Sequence, residues 1–69
     1  MKHSNEIQFQ IEFLTQNLIK MLMQDKSLSM EEAMDIVYNS ETYKKIENEK
    51  SGLYYQSPIY VMDILGREL

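Results

Sequence analysis

The chain contains no cysteine, which excludes disulfides and thiolate metal sites. Its single histidine, His3, lies beside the N-terminus and cannot form a histidine-rich metal site alone. The lack of cysteine also fits a reducing compartment. No apolar run approaches the roughly 20 residues of a membrane span. Glu6 and Glu12 interrupt the first apolar stretch, so it does not read as a signal peptide. The expectation is a soluble, cytoplasmic protein with no membrane partner. Signatures of catalysis are missing too: no glycine-rich phosphate loop, no His–carboxylate pair, no thiol, no serine in a strand-turn-helix setting. A deep cleft for a small molecule is hard to build from so few residues. No enzymatic activity, cofactor, metal or small-molecule ligand is expected.

Positive charge is scarce and scattered. Seven Lys and Arg stand against eleven Asp and Glu, for a net charge of −4, and only Lys44 and Lys45 are adjacent. An acidic chain does not favour the phosphate backbone unless its basic residues cluster, so nucleic acid is disfavoured as a partner. Sixty-nine residues allow one domain, 1–69, with 1–3 and 67–69 expected to fray. So short a chain gains only marginal stability from one core. Without disulfides or a metal, the remaining sources are well-packed helices or self-association.

What is present is helical periodicity. Ser4 can cap a helix whose first turn holds Glu6. Ile7, Ile11, Leu14, Leu18 and Met21 then recur at spacings of four and three, with Leu22 widening the stripe, to about Lys26. Phe9, Phe13, Ile19 and Met23 fall well away from that stripe and form a second, broken apolar face. Either neighbouring helices cover both faces, or the second face, or the whole helix, contacts another chain. Asp25–Ser27 makes a tight connection. Ser29-Met30-Glu31-Glu32 reads as a capping box opening a second helix that buries Met30, Ala33, Met34 and Val37. Asn39 can take the left-handed conformation that ends helices, and Ser40 can cap a third helix over 41–47 with Tyr43 and Ile46 inward. One bent helix through Asn39 is the alternative. After a polar turn with Gly52 at positive φ, Leu53-Tyr54-Tyr55 reads as extended. Ser57-Pro58 opens a fourth helix that buries Tyr60, Val61, Ile64 and Leu65, with Asp63 and Arg67 paired outside.

The same residues admit sharper readings. Glu31 and Asp35, four apart on an exposed face, are solvated charge rather than an acid–base pair, since no nucleophile or cation partner accompanies them. A calcium loop from Asp25 fails because Met30 stands where Gly is needed and Ile36 where Glu is needed. A helix-turn-helix over 28–50 has lysines at 44, 45 and 50 in its second helix, but also Glu41, Glu47 and Glu49 and no Arg to read guanine. The methionines at 21, 23, 30 and 34 make either an adaptable core corner or a groove for a partner helix. Tyr54 and Tyr55, if extended, point to opposite faces, which exposes one of them to a partner.

The runs SMEEAMDIVYNSETYKKI and GLYYQSPIYVMDIL resemble a family of short uncharacterised bacterial proteins that share a MEEAxDIxYNSETY…GLYxQSPxYV pattern. The resemblance covers about Leu28 to Leu65. It implies kinship and no activity; the setting of such families beside toxin-like or mobile-element genes implies partner binding at most.

The expected fold is all-α, a small bundle of three to four helices with a long N-terminal helix. Its expected core is Ile11, Leu14, Leu18, Met21, Ala33, Met34, Val37, Ile46, Tyr60, Val61, Ile64 and Leu65. The expected function is a non-enzymatic protein–protein interaction module binding a protein partner or itself, as a homodimer through helix 1. Phe9, Phe13, Met23, Tyr54 and Tyr55 are the candidate contacts. The alternative is a small helix-turn-helix-like DNA-binding regulator or antitoxin-like protein.

Overall fold

Four serines set where the helices begin. Each sits in extended backbone just ahead of a helix, and its hydroxyl accepts an N–H that the helix cannot satisfy itself. Ser4 Oγ accepts from Ile7 at 3.2 Å, Ser29 from Glu32 at 3.1 Å, Ser40 from Tyr43 at 3.0 Å and Ser57 from Tyr60 at 3.2 Å. Such caps contribute about 1 kcal/mol each. At Ser29 the box is complete, because the Glu32 carboxylate accepts the Ser29 N–H at 2.9 Å. The computed structural model describes residues 3–69, and among them the helices are α1 (Asn5–Lys26), α2 (Met30–Tyr38), α3 (Glu41–Glu47) and α4 (Pro58–Glu68). Short 3-10 turns at Glu49–Ser51 and Leu53–Tyr55 join α3 to α4. The fold is all-α with a long N-terminal helix, and α2 and α3 are separate helices.

Ends are as locally determined as starts. Ser27 closes α1 in the left-handed conformation at φ 54°, its N–H bonded to the Met23 carbonyl, and the chain reverses into α2. Asn39 was the expected left-handed residue and is not one: its φ is −97°. Its side-chain amide instead donates back to the Asp35 carbonyl at 2.8 Å and carboxylate at 2.9 Å, which holds the end of α2 without a positive φ. Gly52 does take φ 70° as expected, and a Cβ there would meet the Tyr55 hydroxyl at 2.9 Å.

The expectation that Leu53-Tyr54-Tyr55 is extended is overturned. Residues 48–56 are a series of tight turns. The Asn48 side chain accepts the Lys50 N–H at 3.0 Å, and the Ser51 hydroxyl donates to the Asn48 carbonyl at 2.8 Å and accepts the Leu53 N–H at 3.1 Å. With the left-handed Gly52 in the middle, these bonds wind the chain and bury Leu53.

The core lies between one face of α1 and the inner faces of the other three helices. Ile11, Leu14, Leu18, Leu22, Ala33, Val37, Ile46, Val61 and Leu65 are almost wholly enclosed. Four expected core residues differ. Met34 and Tyr60 are exposed, and Met21 and Ile64 are half-buried. The reason is the width of the contact. α2 docks through Ala33 and Val37, and α4 through Val61 and Leu65, each a pair four apart. Tyr60 sits about 100° around α4 from Val61 and is carried out to solvent, where it is 54% exposed. Met30, also expected inward, is exposed for the same reason.

Glu68 ties the segment 67–69 to the rest of the bundle. Glu68, on the last turn of α4, reaches the start of α3. Its carboxylate accepts the Glu41 N–H at 2.6 Å, the Thr42 N–H at 3.0 Å and the Thr42 hydroxyl at 2.7 Å. At the other end, residues 1 and 2 of the segment expected to fray lie outside the described residues, and His3 Nδ1 lies 2.8 Å from the Glu49 carboxylate. Asp63 and Arg67 pair at 2.9 Å, as their spacing predicts.

Candidate interaction surface

The second apolar set of α1 divides in two by phase: at about 100° per residue Ile19 falls beside the buried Thr15 and Leu22, whereas Phe9 and Phe13 fall nearly opposite the buried stripe. At 1.5 Å per residue, α1 spans about 33 Å and α2 only about 13 Å. Folding back from Ser27, α2 covers the C-terminal half of α1. Ile19 is fully buried there and Met23 is half-buried against the core. Phe9 and Phe13 point away from the core, and α2 meets them only through Tyr38 at its end. They are 67% and 58% exposed.

These two rings form a ridge. They sit one helical turn apart with centroids 6.3 Å from each other and planes inclined by 20°. A hollow lies on each side. On one, about 420 Å³ is walled by Phe9, Glu12, Phe13, Gln16, Tyr38 and Tyr43. On the other, about 170 Å³ is walled by Phe9, Phe13, Tyr54, Tyr55 and Pro58. Edge-to-face pairs stiffen both walls. Tyr38 and Tyr43 have centroids 4.9 Å apart, and Tyr54 and Tyr55 5.2 Å apart. Six of the seven aromatic residues thus converge on one face, and Tyr60 alone lies elsewhere.

Four of the five candidate contacts are brought together here: Phe9, Phe13, Tyr54 and Tyr55. Met23 is not, being packed on the core toward the far end of α1. Tyr55 is the exposed member of its pair, and Tyr54 packs partly against the core. Sequence reasoning missed Tyr38. Its exposure follows from its phase, about 100° around α2 from the buried Val37, and its partnership with Tyr43 needs the α2–α3 corner.

The charge on this face is negative. Glu12 lines the larger hollow, and the Tyr43 hydroxyl donates to the Glu47 carboxylate at 3.2 Å. Burial, then the nearby Glu47 charge and the hydrogen bond to it, raise the Tyr43 hydroxyl from 10.0 to about 12. Tyr38 and Glu12 add to that push. The tyrosine is therefore a neutral donor across the physiological range.

Other chemistry is sparse. Among the described residues, no three His, Asp or Glu side chains converge as a metal site would need, and no helix is long and apolar enough to cross a membrane. Lys44 pairs with Glu41 at 3.1 Å, and the Glu68 carboxyl, held below its ordinary range chiefly by the Thr42 hydroxyl and the Glu41 N–H, has Lys45 near enough to add to that lowering. No family model matches the chain, and neither the curated proteins nor the solved structures contain a significant match to it.

Proposed function

We propose that this protein is a non-enzymatic protein–protein interaction module that engages its partner through the Phe9–Phe13 ridge. The observation that carries the reading is the exposure of two stacked phenylalanines between two aromatic-walled hollows. The core is complete without them, so folding alone does not account for their presence. Burying a phenylalanine side chain releases about 1.5–3 kcal/mol, and rigid aromatic anchors beside pockets are what protein interfaces concentrate. The alternative, a DNA-binding regulator, has less support. Its second helix would be α3, where Lys44 and Lys45 lie beside Glu41 and Glu68 and leave no basic stripe for phosphates.

The test is a tagged pull-down from the native host at native expression level, with and without nuclease. Wild type is compared with a Phe9→Glu/Phe13→Glu variant whose helicity is checked by circular dichroism. One stoichiometric protein that survives nuclease and is lost with the variant is expected. Recovery of DNA, or of proteins lost on nuclease treatment, would favour the regulator instead.

A further inference from the structure

The aromatic ridge is one end of a longer apolar strip. Met30, Met34 and Tyr38 recur four apart on α2, and all three are exposed, a spacing that aligns them on one flank of the helix. Tyr38 joins this row to the hollow beside Phe9 and Phe13. The row runs about 12 Å before it reaches the ridge. Its methionines can repack around whatever lies on them.

The border of the strip carries one sign of charge. Glu31 and Asp35 each follow a methionine of the row, about 100° further out, and so edge it on the solvent side. Glu12 lines the hollow and Glu47 sits at its margin. Among the described residues, Lys20, seven residues after Phe13, stands on the same side of α1 as that ring. Among the described residues, Glu12, Glu31, Asp35 and Glu47 make that border acidic.

That charge discriminates among occupants. A second copy would set one acidic border against another, in a chain of net charge −4, and like charges across an interface cost free energy. Addition of a partner strand needs a free sheet edge, and no strand exists among the described residues. A row of apolar side chains four apart, ending in an aromatic hollow, matches the mode in which an amphipathic helix lies in a groove. We propose, building on the interaction reading above, that the strip takes an amphipathic helix of another protein. Its apolar stripe lies along Met30–Tyr38 up to the ridge, and its flanking lysines or arginines face Glu12, Glu31 and Asp35.

The test is selection from a displayed peptide library of two halves. One half holds helical peptides with an apolar i, i+3/i+4, i+7 stripe and flanks randomised among Lys, Arg, Glu and Gln. The other holds proline-rich extended peptides. Wild-type protein is the bait, and Phe13→Glu the counter-bait. Helices with basic flanks that bind wild type and not Phe13→Glu are expected. Their affinity should fall roughly tenfold in Glu31→Gln/Asp35→Asn, with a flatter salt dependence, as loss of complementary charge requires. Enriched peptides that need Phe13 but are acidic, neutral or proline-rich would overturn the basic helix and leave the interaction reading standing. Basic peptides indifferent to Phe13→Glu would overturn it as well. If nothing is enriched, light scattering separates the remaining cases. A concentration-dependent dimer abolished by Phe13→Glu would assign the strip to a second copy, and a monomer throughout would overturn both readings.

Discussion

Removing the Glu68 carboxylate should loosen the whole C-terminal half of the bundle. Glu68 joins the last turn of α4 to the first turn of α3 across 26 residues of chain, and it does so with three hydrogen bonds. Two of them satisfy N–H groups at the start of α3 that no intrahelical carbonyl can reach. The carboxylate thus acts as a second N-cap supplied from a distant helix, at the positive end of the α3 dipole. Caps contribute about 0.5–2 kcal/mol, and exposure of Glu68 to solvent argues against a larger figure. Glu68→Ala should therefore cost about 1–2 kcal/mol, with Glu68→Gln close behind because an amide retains one acceptor and loses the charge. In a domain of this size about 1 kcal/mol moves the melting temperature by roughly 4–8 °C. The effect should also depend on pH. The Thr42 hydroxyl, then the Glu41 N–H, hold the Glu68 carboxyl below its ordinary value of 4.5. The unfolded chain therefore takes up this proton first on acidification. The stabilisation is fully present above that ordinary value and is lost as pH falls through the lower, folded one. Urea unfolding followed by circular dichroism, at neutral pH and well below the carboxylate range, measures the difference between wild type and Glu68→Gln. Equal midpoints at neutral pH, or a difference that persists unchanged in acid, would refute the clasp.

Four further outcomes follow from local geometry. Gly66→Ala should stabilise by about 0.5–1 kcal/mol, since a helical glycine costs that much and nothing lies within 4 Å of the new methyl. Gly52→Ala should destabilise by about 1–2 kcal/mol because the left-handed conformation disfavours a Cβ; thermal melts of the pair should move in opposite directions. Ser29→Ala should destabilise by about 1 kcal/mol through loss of the capping box, read as a lower urea midpoint with an unchanged slope. Tyrosinate absorbance should show one hydroxyl of the folded protein titrating near 12, assigned to Tyr43 and lowered by Glu47→Gln. Because the folded value lies above the unfolded one, this tyrosine's share of stability is intact below about 10 and fades as pH rises toward 12.

Which features were legible in the sequence follows from how far each interaction reaches. The capping serines act within three residues, so Ser4, Ser29, Ser40 and Ser57 could each be read directly. The Gly52 turn and the Asp63–Arg67 pair are local in the same sense. What escaped depends on which face another helix covers. Ile19 and Phe13 both fall outside the main stripe of α1, but Ile19 sits beside the buried Thr15 and Leu22, where the bundle covers it, whereas Phe13 lies nearly opposite the stripe and stays exposed. Tyr60 and Ile64 keep the same spacing of four as Val61 and Leu65, so sequence alone does not tell which pair docks, and Val61 and Leu65 are the buried ones. Leu53–Tyr55 lacked any alternation, and its winding depends on side-chain bonds from Asn48 and Ser51 that no periodicity reports. Of the candidate surface, the phenylalanines were readable as outliers from the main stripe. Their meeting with Tyr38, Tyr54 and Tyr55 required the corner between α2 and α3 and the turns after it.

The most direct test of the aromatic face as the point of contact is site-specific photocrosslinking in the native host. p-Benzoylphenylalanine replaces Phe13 in one strain and Asp63 in another; Asp63 is exposed beside Met21 and Asp25 on a different side of α1. A single discrete adduct of higher mass from position 13, and none from position 63, is the predicted result. Equal adducts from both positions, or an adduct from position 63 alone, would contradict it.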